Sequence, residues 1–314
     1  MLRLHATAPL TLALLATCPA WGQPGLERKV LAMGTVLALH LEGGDQARLQ
    51  AGAEAALAEV GRIEAACSTW RPESAWSRLN AAEGRAVALD REWIDLLEAA
   101  KRWTARTGGA FDPCLRPLME AWDVRGRGRV PGAGERALAL RESGAEHLVL
   151  DREAGTARLE GRHAGVEEGG FVKGYALDRA LAAAREAGAR TGWFDFGGQV
   201  LVAGERVVPV ARPGPRDRLA LTVRLRDASL ATSGTSERGR HILDPRTGRP
   251  CPAWGSVSVV APTAFEADVL STALYVMGPT QGLAWAEARG LPACFLHTHG
   301  RRRMTDAFAA LLVP

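Results

Sequence analysis

Apolar and polar positions follow two rhythms along this chain. A β-branched, alternating stretch, "KVLAMGTVLALHLEG" (29–43), predicts a strand kinked at Gly34. Helical spacing takes over in "QARLQAGAEAALAEVGRIEAACS" (46–68) and "REWIDLLEAAKRWTART" (91–107). "GGAFDPCLRPLMEAW" (108–122) opens with turn chemistry and predicts a short helix broken near Pro117, and "VRGRGRVPGAG" (124–134) predicts a loop. "HLVLD" and "TARLEG" read as a hairpin, and "KGYALDRALAAAREAG" (173–188) as a helix ended by Gly188. Strands follow in "TGWFDFGGQVLVAG", "RVVPVA", "LALTVRLRD" and "GSVSVVAP". The chain closes on an apolar helix, "PTAFEADVLSTALYVMG" (262–278), a second helix near 280–289 and a strand, "PACFLHT". Hairpins dominate over regular βα alternation, so the expected class is α+β and not a doubly wound sheet.

The 314 residues, 47% hydrophobic and 24% charged, provide for one large domain or two lobes. A formal charge of +4 without a basic arm argues against nucleic acid as a partner. Residues 1–22 read as a secretory signal: Arg3, a short apolar run from Leu10 to Ala16, then small residues. Ala20-Trp21-Gly22 offers a soluble-secretion cut, whereas "LATC" ending at Cys18 offers a lipoprotein-type cut before that cysteine. Residues 23–314 then form a single domain. Cys67, Cys114, Cys251 and Cys294 are widely spaced, with no C-x-x-C pair, which argues against a zinc site. An oxidising compartment allows disulfides, but the spacing favours isolated buried thiols.

Chemistry concentrates in four stretches, of which "STWRPESAWSRLN" (68–80) with "AFDP" (110–113) offers Trp70, Trp76 and Phe111 beside turn residues, a surface for a planar ring or a chance placement among nine tryptophans. In the 262–278 helix, Thr263 and Glu266 make a capping box, so Asp268 is not needed as that helix's own cap. Asp268, Ser271, Thr272 and Tyr275 share one stripe, and every remaining position from 269 to 277 is apolar. Asp at i with Thr at i+4 suits a hard cation such as Mg²⁺; hydrogen bonds to water on a helix surface account for the stripe equally well. In "EEGGFVKGYALD" (167–178), glycines and Lys173 open directly into a helix, as an anion site would; a tight turn capped by a surface lysine accounts for the pattern equally well. Only three lysines occur among 39 basic residues, and Lys173 is one of them. "SLATSGTSERGRHILDPRTGRP" (229–250) predicts a long polar loop carrying His241, and its "GTSER" is not a nucleophile elbow.

Taken together, these stretches resemble the ApbE-type flavin transferases, the FAD:protein FMN transferases. "AMGT", "STWRPESAWSRLN", "GAFDP", "GGFVKGYALD", "FDFGGQV", "LATSG", "HILDPRTG" and "APTAFEADVLSTALYVMG" occur in that family's order and approximate spacing. The resemblance implies a two-lobed α+β fold with mixed or antiparallel sheets, and FAD and a metal held between the lobes. By position, Met33, Trp70, Ala110, Phe111, Asp112, Glu167, Lys173, His241 and Leu243 would contact FAD. Gly170 (through its carbonyl), Asp268 and Thr272, helped by Ser271, would hold Mg²⁺ or another hard divalent cation. The sequence departs from the family pattern in Glu167-Glu168, where Asp-Leu is usual, in Gly170, where Ala or Ser is common, and in Trp70, where Tyr is common.

The implied reaction is metal-dependent transfer of FMN from FAD to a Thr or Ser hydroxyl of an acceptor protein, with release of AMP. Asp268 or His241 would take the hydroxyl proton. The implied acceptor is a subunit of an exported or membrane electron-transfer system, which fits an exported, periplasmic chain that is soluble or held by a lipid. Two alternatives stay open: an FAD pyrophosphatase giving FMN and AMP, and a non-enzymatic periplasmic flavin-binding protein.

Overall fold

The computed structural model describes residues 25–214, 218–234 and 241–313. The expected secretory segment and most of "GTSER" lie outside the described residues. The expected strand with a kink at Gly34 is instead a hairpin, β1 (Leu26–Ala32) paired with β2 (Thr35–Glu42). Its two turn residues, Met33 and Gly34, both have positive φ (45° and 72°), the left-handed twist that a tight hairpin demands.

After α1 (Gln46–Cys67) come α2 (Ala75–Asn80), β3 (Val87–Ala88) and α3 (Arg91–Arg106). Then α4 (Arg116–Ala121), α5 (Ala133–Glu142), β4 (Leu148–Asp151) and β5 (Thr156–Leu159) build a smaller lobe. Pro117 does not break α4 but stands in its first turn, where a missing N–H costs nothing. Helix α5 overlaps the end of the expected loop; of its side chains only Ala139 is buried, so it leaves almost no apolar stripe to read. The second half runs α6 (Val172–Glu186), β6 (Thr191–Phe196), β7 (Gln199–Ala211), β8 (Leu219–Gly234), β9 (Leu243–Asp244), β10 (Arg249–Pro250) and β11 (Gly255–Ala261). It ends with α7 (Ala264–Glu287), β12 (Ala293–His297), β13 (Arg302–Met304), α8 (Asp306–Ala309) and β14 (Leu312–Val313).

The main sheet has the order β1-β2-β6-β7-β8-β11-β12-β13, with β14 on the outer part of β8, and all its pairings are antiparallel. Alternation sorts its side chains by face. Leu37, Leu39, Phe194, Phe196, Val257 and Phe295 pack with α1, α6 and α7, while Trp193, Val202, Val223 and Leu296 pack with Phe308 of α8 on the other face. "SLATSG", expected as loop, is the end of β8; Ser233 lies beneath α7, where its Oγ meets Ser271 Oγ at 2.9 Å, while the neighbouring Thr232 is exposed and meets Ser258 Oγ at 2.8 Å. Helix α7 is apolar nearly all round and correspondingly buried; Gly278 (φ 75°) divides it near the expected boundary between two helices.

All four described cysteines are unpaired and buried. Burial pushes the Cys251 and Cys294 thiols up to about 12, so they are inert core residues. No described helix is long and apolar enough to cross a membrane.

Candidate active site

The site grows from the crossing of α6 and α7. A Cβ at Gly174 would stand 2.3 Å from Ala264 O and 2.8 Å from Phe265 Cα, so the two backbones meet where only glycine fits. Each helix then satisfies orphan donors of the other. The Asp268 carboxylate on α7 accepts from Gly174 N–H, in the first turn of α6, at 3.1 Å. Asp178 on α6 accepts from Ala264 N–H and Phe265 N–H, the first two donors of α7, at 2.7 and 2.9 Å. Thr263 Oγ1 accepts from Glu266 N–H at 3.2 Å and completes that end. Burial outweighs these hydrogen bonds at Asp178 and pushes its carboxyl up to about 6.

Asp268 is therefore neither a surface residue nor a local cap. It is 7% exposed, tied to the start of α6, and paired with Lys173 Nζ at 4.0 Å. Ser271, fully buried, donates to Asp268 O at 3.0 Å in addition to meeting Ser233. Thr272 faces the turn before α6: a Cβ at Gly170 (φ 86°) would lie 2.9 Å from Thr272 Oγ1, filling the space between turn and helix. Side chains of the Ala or Ser type are thus strained here on two counts, backbone and contact. The gathered donors are a carboxylate, a hydroxyl and the backbone of a Gly-Gly turn, all oxygen, and this set fits a hard cation. Among the described residues no cluster of three or more His, Cys, Asp and Glu forms. Tyr275, the last member of the stripe, stacks on Trp254 with ring centroids 4.8 Å apart and donates to Pro252 O, a packing role.

The segment before α6 is fixed by residues that the sequence did not single out. Asn80, at the end of α2, donates to Val166 O (2.9 Å) and accepts from Val166 N–H (2.7 Å). Glu167 N–H donates to Pro113 O at 2.8 Å, bringing "GAFDP" alongside. Ala110 and Phe111 are buried, and Phe111 meets Phe171 edge-on at 5.8 Å, directly under the α6 turn. Both Asp112 oxygens are engaged, accepting from Cys114 N–H (2.8 Å) and Ala145 N–H (3.0 Å). Burial raises the Asp112 carboxyl to about 6.

Beside this turn, Arg125 gathers the acidic pair. Its guanidinium donates to Glu167 (2.7 Å) and Glu168 (3.2 Å), reaches Thr69 Oγ1, and lies 4.5 Å from the centre of the Trp70 ring. Burial and repulsion from Glu168 push the Glu167 carboxyl up; Arg125 opposes both. Met33 stands in the β1–β2 turn, packed against the main core. Leu243 is buried in β9 against Leu118 of α4, and His241 is partly buried two residues before it. The β9–β10 turn is anchored to α4's lobe by Trp122 Nε1, which donates to Gly248 O at 2.8 Å. A depression of about 550 Å³ elsewhere, between α3 and α6, is lined by Glu92, Tyr175 and Arg179 already tied in ion pairs and hydrogen bonds; none of the sequence-predicted site residues lines it.

The ApbE family model matches residues 33–295. This chain belongs to the ApbE family. It is 30% identical over 312 residues to the FAD:protein FMN transferase of Treponema pallidum (strain Nichols), covering 88% of this chain and 85% of that one. An FAD:protein FMN transferase of Klebsiella pneumoniae (strain 342) is 27% identical over 326 residues, with coverage of 95% and 93%. The crystal structure of the ApbE protein from Thermotoga maritima shares the fold with a TM-score of 0.86 at 28% identity, covering 93% of this chain and 100% of that one.

Within the ApbE fold two quoted motifs acquire structural reasons. In "FDFGGQV", Asp195 accepts from Gly198 N–H at 2.8 Å to close the β6–β7 turn, and Gln199 donates to Ala264 O at 2.7 Å, pinning the start of α7. In "KGYALD", Gly174 permits the crossing and Asp178 caps the partner helix. Arg125 gave no signal in the sequence, because its loop is many residues from the carboxylates it pairs.

Proposed function

We propose that this chain is an FAD:protein FMN transferase that works at the α6–α7 crossing, exported by residues 1–22 to act on an acceptor protein of an electron-transfer system. The observation that carries the site is the placement of Asp268: a buried carboxylate at the N-terminus of α6, with Lys173 Nζ at 4.0 Å. A helix start and an ammonium attract a pyrophosphate, while the carboxylate opposes one unless a cation stands between. Asp268 and Thr272, with the carbonyl of Gly170, would hold that cation. When bound, a hard divalent ion neutralises charge on the pyrophosphate oxygens.

The chain's own residues do the rest. Lys173 binds the pyrophosphate as a point charge, and the Glu167–Phe171 turn, held by Asn80, Pro113 and Phe111, fixes where it lies. Trp70 stands beside that turn as the aromatic surface for the flavin ring, with Met33 and Leu243 as apolar neighbours. The acceptor's Thr or Ser oxygen forms a bond to the flavin-side phosphorus, and the bond to the AMP phosphate breaks. The hydroxyl proton passes to Asp268 or His241, and AMP leaves. Such catalysis is mainly positioning and charge neutralisation.

Hydrolysis and storage find no support among these relatives, both of which are named transferases. The deciding test incubates an acceptor with FAD, a divalent cation and the protein, and weighs the acceptor. A gain equal to FMN less water is the expected result. Production of free FMN and AMP with no change in the acceptor would assign a pyrophosphatase instead.

A further inference from the structure

We propose that Arg125 is a positioning residue for the flavin ring: its guanidinium supports one face of the Trp70 indole and leaves the other face for the isoalloxazine. The inference rests on Trp70 as the flavin's neighbour, as argued above. The guanidinium lies 4.5 Å from the centre of the indole, yet Trp70 remains 65% exposed, so most of the ring is still open to a ligand. A large apolar ring left this open next to the proposed site is unusual for a residue with only a packing role.

Arg125 is itself held on several sides. It donates to both Glu167 oxygens at 2.7 Å, to Glu168 at 3.2 Å and to Thr69 Oγ1, and the Thr69 hydroxyl also donates to Glu168. Its loop is closed on itself: Gly126 and Gly128 N–H donate to Asp123 O, and Arg127 N–H donates to the Asp123 carboxylate. Thr69 and Trp70 are adjacent in sequence, so one guanidinium fixes both the backbone and the ring at this point. The adjacent Glu167 and Glu168 are what hold the guanidinium here, beside Trp70.

The same contact has a rival reading, in which Arg125 is a gate that the flavin displaces. The energetics decide between them. Side-chain exposures of 12% for Glu167 and 20% for Glu168 mean that removing Arg125 leaves the Glu167 carboxylate without its ion-pair partner and Glu168 with the Thr69 hydroxyl alone, at a cost above what one aromatic stack returns. Arg125 therefore stays in place when ligand binds, and the open face of Trp70 is the one used.

The test measures affinities of riboflavin, FAD and ADP, with thermal unfolding, for Arg125→Met, Arg125→Lys, Trp70→Ala and the Arg125→Met/Trp70→Ala double variant. Arg125→Met should weaken riboflavin about three- to tenfold; because it also leaves Glu167 and Glu168 uncompensated beside the pyrophosphate turn, the ADP control is read in Arg125→Lys, where ADP should be unchanged. In the Trp70→Ala background Arg125→Met should have no further effect on riboflavin. Arg125→Lys keeps the charge opposite Glu167 and Glu168, so it should unfold near the wild-type temperature and still lose riboflavin affinity, because an ammonium lacks the planar surface. Should Arg125→Met fail to fold, Arg125→Lys decides alone. Unchanged riboflavin binding in both Arg125 variants, with loss in Trp70→Ala, overturns the role of Arg125 and keeps the flavin at Trp70. Unchanged riboflavin binding in Trp70→Ala overturns the flavin placement itself. Tighter riboflavin binding in Arg125→Met establishes the gate, and a loss of ADP affinity in Arg125→Lys equal to its loss of riboflavin affinity shows a role in folding only; either result overturns the proposal.

Discussion

Replacing Gly174 by alanine sets two physical effects against each other. Helix propensity alone favours the change by about 1 kcal/mol, since alanine loses less backbone freedom than glycine. The packing opposes it. The new methyl would stand 2.3 Å from Ala264 O, 2.7 Å from Ala264 C and 2.8 Å from Phe265 Cα. All three are backbone atoms, so no side chain can rotate away, and α6 and α7 must part by about 1 Å to restore ordinary contact. That movement stretches the Asp268 bond to Gly174 N–H, the Asp178 bonds to Ala264 and Phe265 N–H, and the Gln199 bond to Ala264 O. Overpacking costs about 1–3 kcal/mol and each weakened cap about 1 kcal/mol. The net loss is about 2–4 kcal/mol, or roughly 3–7 °C in Tm for a domain of this size. Differential scanning calorimetry of Gly174→Ala measures it. A Tm equal to or above wild type would mean that propensity wins and the close crossing is not as described.

Two further outcomes follow from the same geometry. Lys173→Ala should weaken FAD by about 1.5–3 kcal/mol and leave riboflavin, which has no phosphate, untouched; equal losses in titration calorimetry would show that the lysine acts through folding. Burial raises the Asp112 carboxyl in the folded protein from 3.8 to about 6, so the folded state holds its proton more tightly than the unfolded chain does. Its stabilising contribution is full below about pH 4 and lost as pH rises through about 6. Urea unfolding between pH 4 and 6.5 should show wild type losing about 1–3 kcal/mol more than Asp112→Ala over that interval, and parallel slopes would refute it.

Most of the scaffold was legible because its helices repeat apolar positions and its strands are rich in β-branched residues bounded by turn residues. The β2, β6 and β11 strands and the α1, α3 and α6 helices carry strong periodic patterns, and the turn glycines mark their ends. The β1–β2 turn read as a kink because Met33, unlike Asn or Asp, does not advertise a left-handed residue. "SLATSG" read as loop because its short hydroxyl side chains match a turn's composition; in the fold they bond instead to neighbouring strands and to α7, Ser229 to Val200 O, Thr232 to Ser258 and Ser233 to Ser271. At the site, Lys173 beside its glycines and the Asp268 stripe stood out as chemistry misplaced for a core helix. Asp268's bond to Gly174, Asp178's cap on α7, Asn80's clamp on Val166 and Arg125's pairing with Glu167 and Glu168 did not. Each joins residues between 42 and 94 positions apart, or two helices whose crossing only the fold creates.

The most direct test of the central claim is FMN transfer by Asp268→Asn, followed by the mass of the acceptor across a range of divalent cation concentrations. Asparagine keeps an oxygen to accept from Gly174 N–H, now at 3.1 Å, so the helix crossing and the unfolding temperature should be preserved. It loses the negative charge that a hard cation needs. The account predicts a folded variant with no acceptor flavinylation at cation concentrations that saturate wild type, and partial recovery at high cation if weakened cation binding is the defect. Wild-type rates of flavinylation at every cation concentration would contradict it.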